Sequence, residues 1–343
     1  MTDYRTPAVV APEAPSTPGA EQAPLLRVEG LTVVLSSGAT RGVVLDSVSF
    51  SVGAGRTTGL IGESGSGKTM SAMAIVRLLP EGAETSGRVI WGTQDLLEAP
   101  ARRMREVRGH EIGVIFQDPL SALNPLQTVG KQIGETLRRG GMPRAQVRAR
   151  VLELLDRVGI PDPEQRIGVY PHEMSGGMRQ RVMIATALAG SPRLIIADEP
   201  TTALDVTTQA RILRLLADLR DSDGVAMLLV SHDLRVMAHV ADDVVVMYAG
   251  RVAERGRADA VLARPRHPYT RALANNVPAV TTKSAIAEPL RGAPANPFDR
   301  PPGCAFHPRC PLAQAVCRTT TPELREVEPG RFSACHFAEE VGS

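Results

Sequence analysis

A glycine-rich phosphate loop constrains this chain more than any other feature. The loop follows the apolar residues 58–61, precedes a helix-like stretch at residues 72–79, and reads Gly62-Glu63-Ser64-Gly65-Ser66-Gly67-Lys68-Thr69. Glycines let successive backbone N–H groups face a phosphate, and the positive end of the following helix attracts the same anion. The sequence therefore predicts a strand, a loop and a helix around ATP. Lys68 is expected to reach the β- and γ-phosphates, and Thr69 is expected to bind Mg²⁺.

Two adjacent carboxylates supply the second part of this predicted site. Residues 194–197 form a fully apolar run, which predicts a buried central strand, and Asp198 and Glu199 follow it directly. Parallel α/β sheets place their chemistry at the carboxyl ends of their strands. We expect Asp198 to hold Mg²⁺ through water and Glu199 to polarise the water that attacks the γ-phosphorus.

A third segment resembles the signature of ATP-binding-cassette (ABC) proteins. This segment carries methionines in place of the usual leucine and glutamine and reads Met174-Ser175-Gly176-Gly177-Met178-Arg179-Gln180-Arg181. The resemblance covers residues 25–260 and includes Gln117 of the glutamine loop, Asp205 of the D-loop and the switch-type His232. It implies an α/β fold, namely an ABC-type P-loop nucleotide-binding domain with a RecA-like core, an antiparallel β element and a helical subdomain.

The same resemblance implies roles for these residues. Gln117 would sense the γ-phosphate and bind Mg²⁺, His232 would contact the γ-phosphate, and Asp205 would link two sites across a cassette dimer. The signature residues Ser175, Gly176 and Gly177 would act on ATP held by the partner's phosphate loop. Many cassettes stack adenine on an aromatic side chain near the end of the first strand, but residues 31–35 contain none. Base binding is therefore expected to rest on apolar contact.

Longer stretches are similar to the D-type ATPase subunits of dipeptide and oligopeptide importers. These stretches are residues 117–125, 174–181, 197–206 and 267–273, and the resemblance continues nearly to the C-terminus. It implies a heterodimer with a related F-type ATPase, two membrane permease subunits and an extracytoplasmic substrate-binding protein. It also implies a peripheral position at the cytoplasmic face of the inner membrane, with the region after Gln117 contacting a permease.

Composition and patterning predict about two domains in 343 residues. Residues 1–24 are rich in proline and alanine and are expected to be disordered. Residues 25–265 are assigned to the nucleotide-binding domain, with the helical subdomain at roughly residues 120–182. No apolar run approaches the roughly 18 residues that span a bilayer, and no secretory signal is recognised. A net charge of +2 and an aromatic content of 3% argue against nucleic acid as a partner.

Residues 266–343 are assigned to a small C-terminal domain that contains all four cysteines. Their spacing is C-x5-C-x6-C-x17-C, and they are Cys304, Cys310, Cys317 and Cys335. Clustered thiols in a cytosolic chain indicate metal, and the spacing alone leaves an iron–sulfur cluster, a zinc site and unligated cysteines open. His307 and His336 could complete a zinc site. Residues 303–313 and 334–336 resemble the C-terminal domain of peptide-importer ATPases, which implies a [4Fe–4S] cluster with zinc as the alternative.

The sequence leaves three classes of function to compare. The first is an ATPase subunit that drives peptide import, with nickel or another small solute as an alternative cargo. The second is a cassette ATPase acting on nucleic acid or ribosomes, which predicts a coiled-coil insertion or two cassettes in one chain, and neither is present. The third is a metal-binding adaptor with a vestigial ATPase site. Intact Lys68, Asp198, Glu199 and His232 argue against the adaptor.

Overall fold

The structure is a computed structural model that describes residues 23–37, 40–202, 204–275, 292–296 and 298–341. The predicted disordered extension therefore lies almost wholly outside the described residues. The strands are β1 (Leu26–Ser37), β2 (Thr40–Val52), β3 (Thr57–Ile61), β4 (Glu84–Trp91), β5 (Gln94–Asp95), β6 (Ile112–Ile115), β7 (Leu194–Asp198), β8 (Ala226–Ser231), β9 (Asp243–Tyr248), β10 (Arg251–Arg257), β11 (Arg325–Glu328) and β12 (Arg331–Ser333).

The helices fall between and after these strands. They are α1 (Lys68–Ile75), α2 (Ala101–Glu106), α3 (Pro119–Ala122), α4 (Val129–Arg139), α5 (Arg144–Arg157), α6 (Pro163–Arg166), α7 (Gly176–Leu188), α8 (Val206–Asp223), α9 (Leu234–Val240), α10 (Ala258–Ala263), α11 (Pro268–Asn275) and α12 (Ala315–Thr319). A π-helical turn follows α2, and short 3₁₀ turns occur at Pro171–Glu173 and His307–Arg309.

The larger sheet has the strand order β11-β12-β10-β9-β3-β8-β7-β6. Strands β9, β3, β8, β7 and β6 are parallel, and β3 and β7 are buried along their whole length. Burial at every position is typical of strands covered on both faces, which is why these segments occupy the centre. Their carboxyl ends meet at one edge, because Ile61 pairs with Ser231 and Asp198 pairs with Val230.

The smaller sheet is the predicted antiparallel β element. Its order is β2-β1-β4-β5, and all of its pairings are antiparallel. Val48, Phe50 and Val52 of β2 point inward and are almost fully buried, as the alternating pattern predicts. This sheet packs with α1 and the apolar side of the larger sheet in a common core.

The segment between β6 and β7 is helical, as predicted. The amphipathic pattern around residue 150 corresponds to α5, whose Val151, Leu154 and Leu155 are buried. The helix after the phosphate loop differs from its expected position, since α1 begins at Lys68 and ends at Ile75 rather than spanning residues 72–79. Arg77 has a φ of 53°, a left-handed conformation that a helix cannot continue through.

The C-terminal region continues the sheet of the nucleotide-binding core. Strands β11 and β12 form a hairpin whose second strand pairs with β10. A buried ion pair fixes this junction, with Arg331 Nη2 2.8 Å from Glu254 Oε1 and both side chains at most 3% exposed. Glu254 also accepts hydrogen bonds from the backbone N–H groups of Arg266 and His267. The two regions are thus joined by backbone pairing and by charge.

Replacing Arg331 with glutamine is expected to lower the free energy of unfolding by about 3–5 kcal/mol, because Glu254 would remain buried without its cation. Burial already raises the pKa of Glu254, and losing Arg331 raises this pKa further. Because its pKa is higher in the folded state than in the unfolded state, protonation of Glu254 stabilises the folded variant. The difference in unfolding free energy between parent and variant is therefore expected to shrink as pH falls. Chemical denaturation at several pH values measures this.

Arg325→Gln is the matched control, because Arg325 forms an exposed ion pair with Glu339 in the same region. Its expected cost is about 0–1 kcal/mol. If both variants lose a similar, small amount of unfolding free energy, the buried pair does not stabilise the junction as described.

Candidate functional site

The phosphate loop connects the carboxyl end of β3 to α1. Gly67 immediately precedes the helix with a φ of 101°, and a Cβ there would lie 2.6 Å from Leu45 Cδ2. Only glycine suits both this conformation and this contact. The side chain of Lys68 is folded back over the loop, where its Nζ donates to the carbonyl oxygens of Gly62 at 2.8 Å and Glu63 at 3.0 Å.

The loop contains an unsatisfied buried group that fits a phosphate. The Ser66 hydroxyl is buried and has no hydrogen-bond partner within the described part of the chain. A buried polar group without a partner is costly, and a ligand oxygen can supply the missing contact. Burial also lowers the pKa of Lys68, although Glu199, Asp198 and Glu63 oppose this shift. A polyanion at the loop would restore stabilisation of this cation.

Thr69 and Asp198 form a pair of oxygen donors beside the loop. The Thr69 hydroxyl donates to Asp198 Oδ1 at 3.0 Å, and the Asp198 side chain is almost fully buried. Burial raises the pKa of Asp198, while the Thr69 hydrogen bond and the charge of Lys68 oppose the rise. Hydroxyl and carboxylate oxygens are the ligands that Mg²⁺ prefers, so this pair fits the metal.

Glu199 lies at the centre of a polar cluster at the ends of three strands. Its carboxylate accepts hydrogen bonds from Thr202 Oγ1 at 2.8 Å and Gln117 Nε2 at 3.3 Å, and His232 Nδ1 lies 3.2 Å from its other oxygen. Burial opposes ionisation, yet the hydrogen bonds from Thr202 and His232, together with the charges of His232 and Lys68, leave the pKa of Glu199 below its usual value. The side chain is therefore held as a carboxylate.

The backbone of Glu199 is strained. Its φ of 44° is left-handed, and its N–H donates to the Val230 carbonyl at 3.0 Å. A non-glycine residue in this region costs roughly 1–3 kcal/mol and persists only where its surroundings enforce it. The strain turns the chain at the end of β7 and directs the carboxylate toward Gln117 and His232, which follow β6 and β8.

The signature residues and Asp205 form a second group. Ser175 caps the N-terminus of α7 and accepts a hydrogen bond from the Met178 N–H. Asp205 caps α8, where the Thr208 N–H and hydroxyl donate to it. A Cβ on Gly177 would lie 2.8 Å from Thr208 Cγ2, so the beginnings of α7 and α8 are in contact.

This second group is separate from the phosphate loop. Among the described residues, no hydrogen bond or ion pair joins Ser175, Gly176, Gly177 or Asp205 to residues 62–69. The first turn of α7 nevertheless leaves backbone N–H groups without helical partners, which is an arrangement that binds anions. The signature residues and the phosphate loop are therefore not joined by hydrogen bonds or ion pairs in the part of the chain that the structure describes.

All four cysteines line one small cavity. Its walls also include Phe306, Leu312 and Phe337, which make it largely apolar. The backbone joins two of the cysteines directly, because the Cys304 N–H donates to the Cys317 carbonyl at 2.8 Å. Burial raises the pKa of the Cys310 thiol to about 11 and that of Cys335 to about 12, so these sulfurs are protonated unless a cation compensates their charge.

The cavity does not contain a ready-made site for one ion. Among the described residues, no three His, Cys, Asp or Glu side chains are arranged to hold a single metal ion. Both histidines that could complete a zinc site contact backbone carbonyls, with His307 Nδ1 on Cys304 O and His336 Nε2 on Thr320 O. Each contact uses one ring nitrogen, as in histidines that bind a metal through the other nitrogen, so these contacts do not separate the zinc and cluster alternatives.

Several residues at the site were not assigned a role from the sequence. Thr202 could have been recognised, because it lies three residues after Glu199 at the spacing of a turn and its N–H donates to the Glu199 carbonyl. Tyr269 and Arg309 contact Glu63 of the loop but are separated from it by 206 and 246 residues, so no local pattern reports them.

Comparison with known proteins agrees with this geometry. A family model described as "ABC transporter" matches residues 45–202, and one described as "Oligopeptide/dipeptide transporter, C-terminal region" matches residues 253–317. The chain is 50% identical over 302 residues to the probable peptide ABC transporter ATP-binding protein y4tR of Sinorhizobium fredii, covering 87% of this chain and 90% of the relative. It is 44% identical over 315 residues to the dipeptide transport ATP-binding protein DppD of Escherichia coli, covering 91% and 96%.

Solved structures show the same fold. The ATP-binding cassette MJ0796, in a dimeric post-hydrolysis state with ADP and phosphate, superimposes with a TM-score of 0.61 at 28% identity, covering 68% of this chain and 98% of that one. The fold and site together define an ABC-type ATPase that uses ATP and Mg²⁺. More narrowly, the chain belongs to the family of ATP-binding subunits of peptide ABC transporters, which work with membrane permeases. Within the described ranges, every helix is too short or too polar to cross a bilayer.

Gly67→Ala is expected to weaken ATP binding by at least about tenfold, because the new Cβ meets Leu45 and the left-handed backbone costs a further ~1 kcal/mol. Titration with a fluorescent ATP analogue measures the affinity. Gly92→Ala is the control, since Gly92 is also left-handed but a Cβ there meets nothing within 4 Å. A Gly67→Ala protein that binds ATP like the parent would contradict the assigned loop geometry.

Proposed function

We propose that this chain couples ATP hydrolysis to the uptake of dipeptides or oligopeptides through partner permeases. The observation that carries the ATPase part is the convergence of Gln117, Thr202 and His232 on the Glu199 carboxylate, beside Lys68, Thr69 and Asp198. The peptide cargo is supported by the relatives described as peptide and dipeptide transport proteins. Nickel or another small solute is the alternative cargo for the same machinery.

The proposed nucleotide site uses residues 62–69 as the phosphate cradle. Lys68 would exchange its two backbone carbonyl partners for β- and γ-phosphate oxygens, and the unpaired Ser66 hydroxyl would donate to a phosphate. Thr69, Asp198 and Gln117 would hold Mg²⁺, which neutralises phosphate charge when bound. The first change pairs the Lys68 cation with an anion in place of two neutral carbonyls, and the second gives the Ser66 hydroxyl a partner.

In the proposed hydrolysis step, Glu199 is the general base. Water attacks the γ-phosphorus, the bond from this phosphorus to the β–γ bridging oxygen breaks, and the water proton passes to the Glu199 carboxylate. The lowered pKa keeps that carboxylate ionised before the step. Thr202 and Gln117 orient it, and His232 contacts the γ-phosphate.

We further infer that a second cassette completes the ATP-binding site. Ser175, Gly176 and Gly177 lie at a helix start that is not joined to the chain's own loop, so they are available to the partner's nucleotide, with Asp205 beside them. The proposed partner is a related F-type ATPase. Two permeases and an extracytoplasmic substrate-binding protein complete the proposed importer, which places this chain at the cytoplasmic face of the inner membrane as a peripheral subunit.

A groove between the core sheet and the helical segment is the proposed permease contact. It has a volume of about 950 Å³ and lies beside the glutamine loop, with Phe116, Leu123 and Met183 among its apolar lining residues. Its charged lining residues are mostly basic, namely Arg102, Arg105, Arg108 and Arg139 beside the acidic Glu106. This combination suits an amphipathic helix that carries an acidic residue.

We also propose a [4Fe–4S] cluster in the C-terminal domain. All four cysteines line one largely apolar cavity, and four thiolates are the usual ligand set of such a cluster. Cys304, Cys310, Cys317 and Cys335 would hold it. Its proposed contribution is structural, since it would tie together a region with little apolar core of its own.

Glu199→Gln is expected to bind Mg-ATP with unchanged affinity while hydrolysing it about 10²–10⁴ times more slowly, because the amide cannot accept the proton. Phosphate release measures hydrolysis by the assembled complex, and ATP-dependent peptide uptake into proteoliposomes measures transport. Both are expected to fall together. Hydrolysis that persists in this variant would reject Glu199 as the base, and uptake without hydrolysis would reject the coupling.

Protein purified without oxygen is expected to absorb broadly near ~400 nm and to carry about four irons and acid-labile sulfide per chain. Visible spectroscopy with metal and sulfide analysis measures this. Cys335→Ser is expected to lose most of the iron, while Arg325→Gln in the same domain is expected to keep it. A colourless parent protein with about one zinc would contradict the cluster.

A further inference from the structure

Glu63 of the phosphate loop has a partner for each of its polar groups, and two of these partners come from the C-terminal region. Its backbone N–H donates to the Tyr269 hydroxyl at 2.8 Å. Its carboxylate accepts two hydrogen bonds from Arg309, at 2.6 Å from Nη1 and 3.0 Å from Nη2. Its carbonyl accepts from Lys68 Nζ and from the Ser66 N–H. The loop is thus fixed from both sides at one residue.

The two C-terminal partners are themselves rigidly held. The Arg309 side chain is only 5% exposed, and its guanidinium lies 5.9 Å from the ring centres of both Tyr248 and Phe306. Tyr269 is fully buried, and its ring packs 4.7 Å from Tyr248 and 5.4 Å from Phe306. Aromatic packing of this kind leaves few alternative positions for either side chain.

Arg309 also lies within the segment that surrounds the cysteine cavity. It ends the 3₁₀ turn that begins at His307, whose N–H donates to the Cys304 carbonyl, and it directly precedes Cys310. The region that holds the thiols therefore also holds the phosphate loop. An ion pair with two parallel hydrogen bonds specifies orientation as well as proximity, so it transmits the position of one element to the other.

We propose that Arg309 and Tyr269 are positioning residues that hold the phosphate loop in its nucleotide-binding shape. A loop must be ordered before its N–H groups can face a phosphate, and the entropy of ordering it weakens binding. Because Arg309 and Tyr269 order the loop when the chain folds, binding of nucleotide does not have to order it. Nucleotide affinity therefore depends on the C-terminal domain. The inference rests on the loop being the ATP site. The experiment distinguishes a failure of the positioning role from a failure of the ATP site.

The test measures the dissociation constant of a fluorescent ATP analogue for the full chain, together with KM and kcat of the assembled ATPase. Arg309→Gln is expected to raise the dissociation constant and KM about tenfold, because it removes a charge-assisted pair. Tyr269→Phe is expected to raise them by a smaller factor. The kcat at saturating ATP is expected to stay within about twofold of the parent value, since neither residue touches the reacting atoms.

Arg300→Gln is the matched control. Arg300 is also a mostly buried arginine of the C-terminal region that reaches the nucleotide-binding core, where it contacts Asp46 and the Val43 carbonyl. These hydrogen bonds do not involve the phosphate loop, so Arg300→Gln is expected to keep the nucleotide affinity within about twofold of the parent value. Equal effects of Arg300→Gln and Arg309→Gln would overturn the proposal in favour of a general effect on stability.

A double-mutant cycle with Glu63→Gln provides the decisive readout. If Arg309 acts through Glu63, the double variant binds ATP like Arg309→Gln alone, whereas fully additive losses overturn the proposal. Should Arg309→Gln fail to fold, Tyr269→Phe alone carries the test, because it removes the acceptor of the Glu63 backbone N–H, and an unchanged affinity in Tyr269→Phe then overturns the proposal. A parent chain that binds no nucleotide would instead reject the ATP site itself.

Discussion

The register of the parallel sheet determines the rest of this structure. Strand β3 lies between β8 and β9, and β8 pairs in turn with β7, so that the ends of β3, β7 and β8 reach the same edge. The phosphate loop and His232 directly follow the ends of β3 and β8, and the Asp198–Glu199 pair lies at the end of β7. A shift of one residue in any pairing would turn the side chains of that strand to the other face and move the site apart. Burial along the whole of β3 and β7 holds this register.

The central part of this arrangement could be predicted from the sequence because each of its parts is local. An apolar run followed by a glycine-rich loop and Lys68 specifies strand, loop and helix within some twenty residues, and the run ending at Asp198 and Glu199 is equally self-contained. Their convergence follows from a general property of parallel sheets. The amphipathic helix α5 and the inward residues of β2 were predicted correctly for the same reason, since the spacing of apolar residues along a short stretch indicates which side of a helix or strand is buried.

Other features depend on contacts between distant residues, which no local pattern reports. The buried pair between Glu254 and Arg331 joins positions 77 residues apart, and the hairpin that it anchors continues the core sheet rather than forming a separate one. The early end of α1 follows from the left-handed backbone of Arg77, a conformation that the sequence does not signal. The contact of Arg309 with Glu63 likewise could be recognised only in the folded chain. These contacts make the C-terminal region and the nucleotide-binding core physically continuous.

The structure of the Glu199→Gln complex with ATP and Mg²⁺ tests the account of the site most directly. The account predicts that the phosphates occupy the loop formed by residues 62–69, that Lys68 Nζ leaves the carbonyls of Gly62 and Glu63 for phosphate oxygens, and that the metal lies between Thr69 and Asp198. It also predicts that Ser175 and Gly177 of a facing cassette contact the γ-phosphate. Nucleotide bound elsewhere, or Lys68 still on the two carbonyls with ATP present, would contradict it.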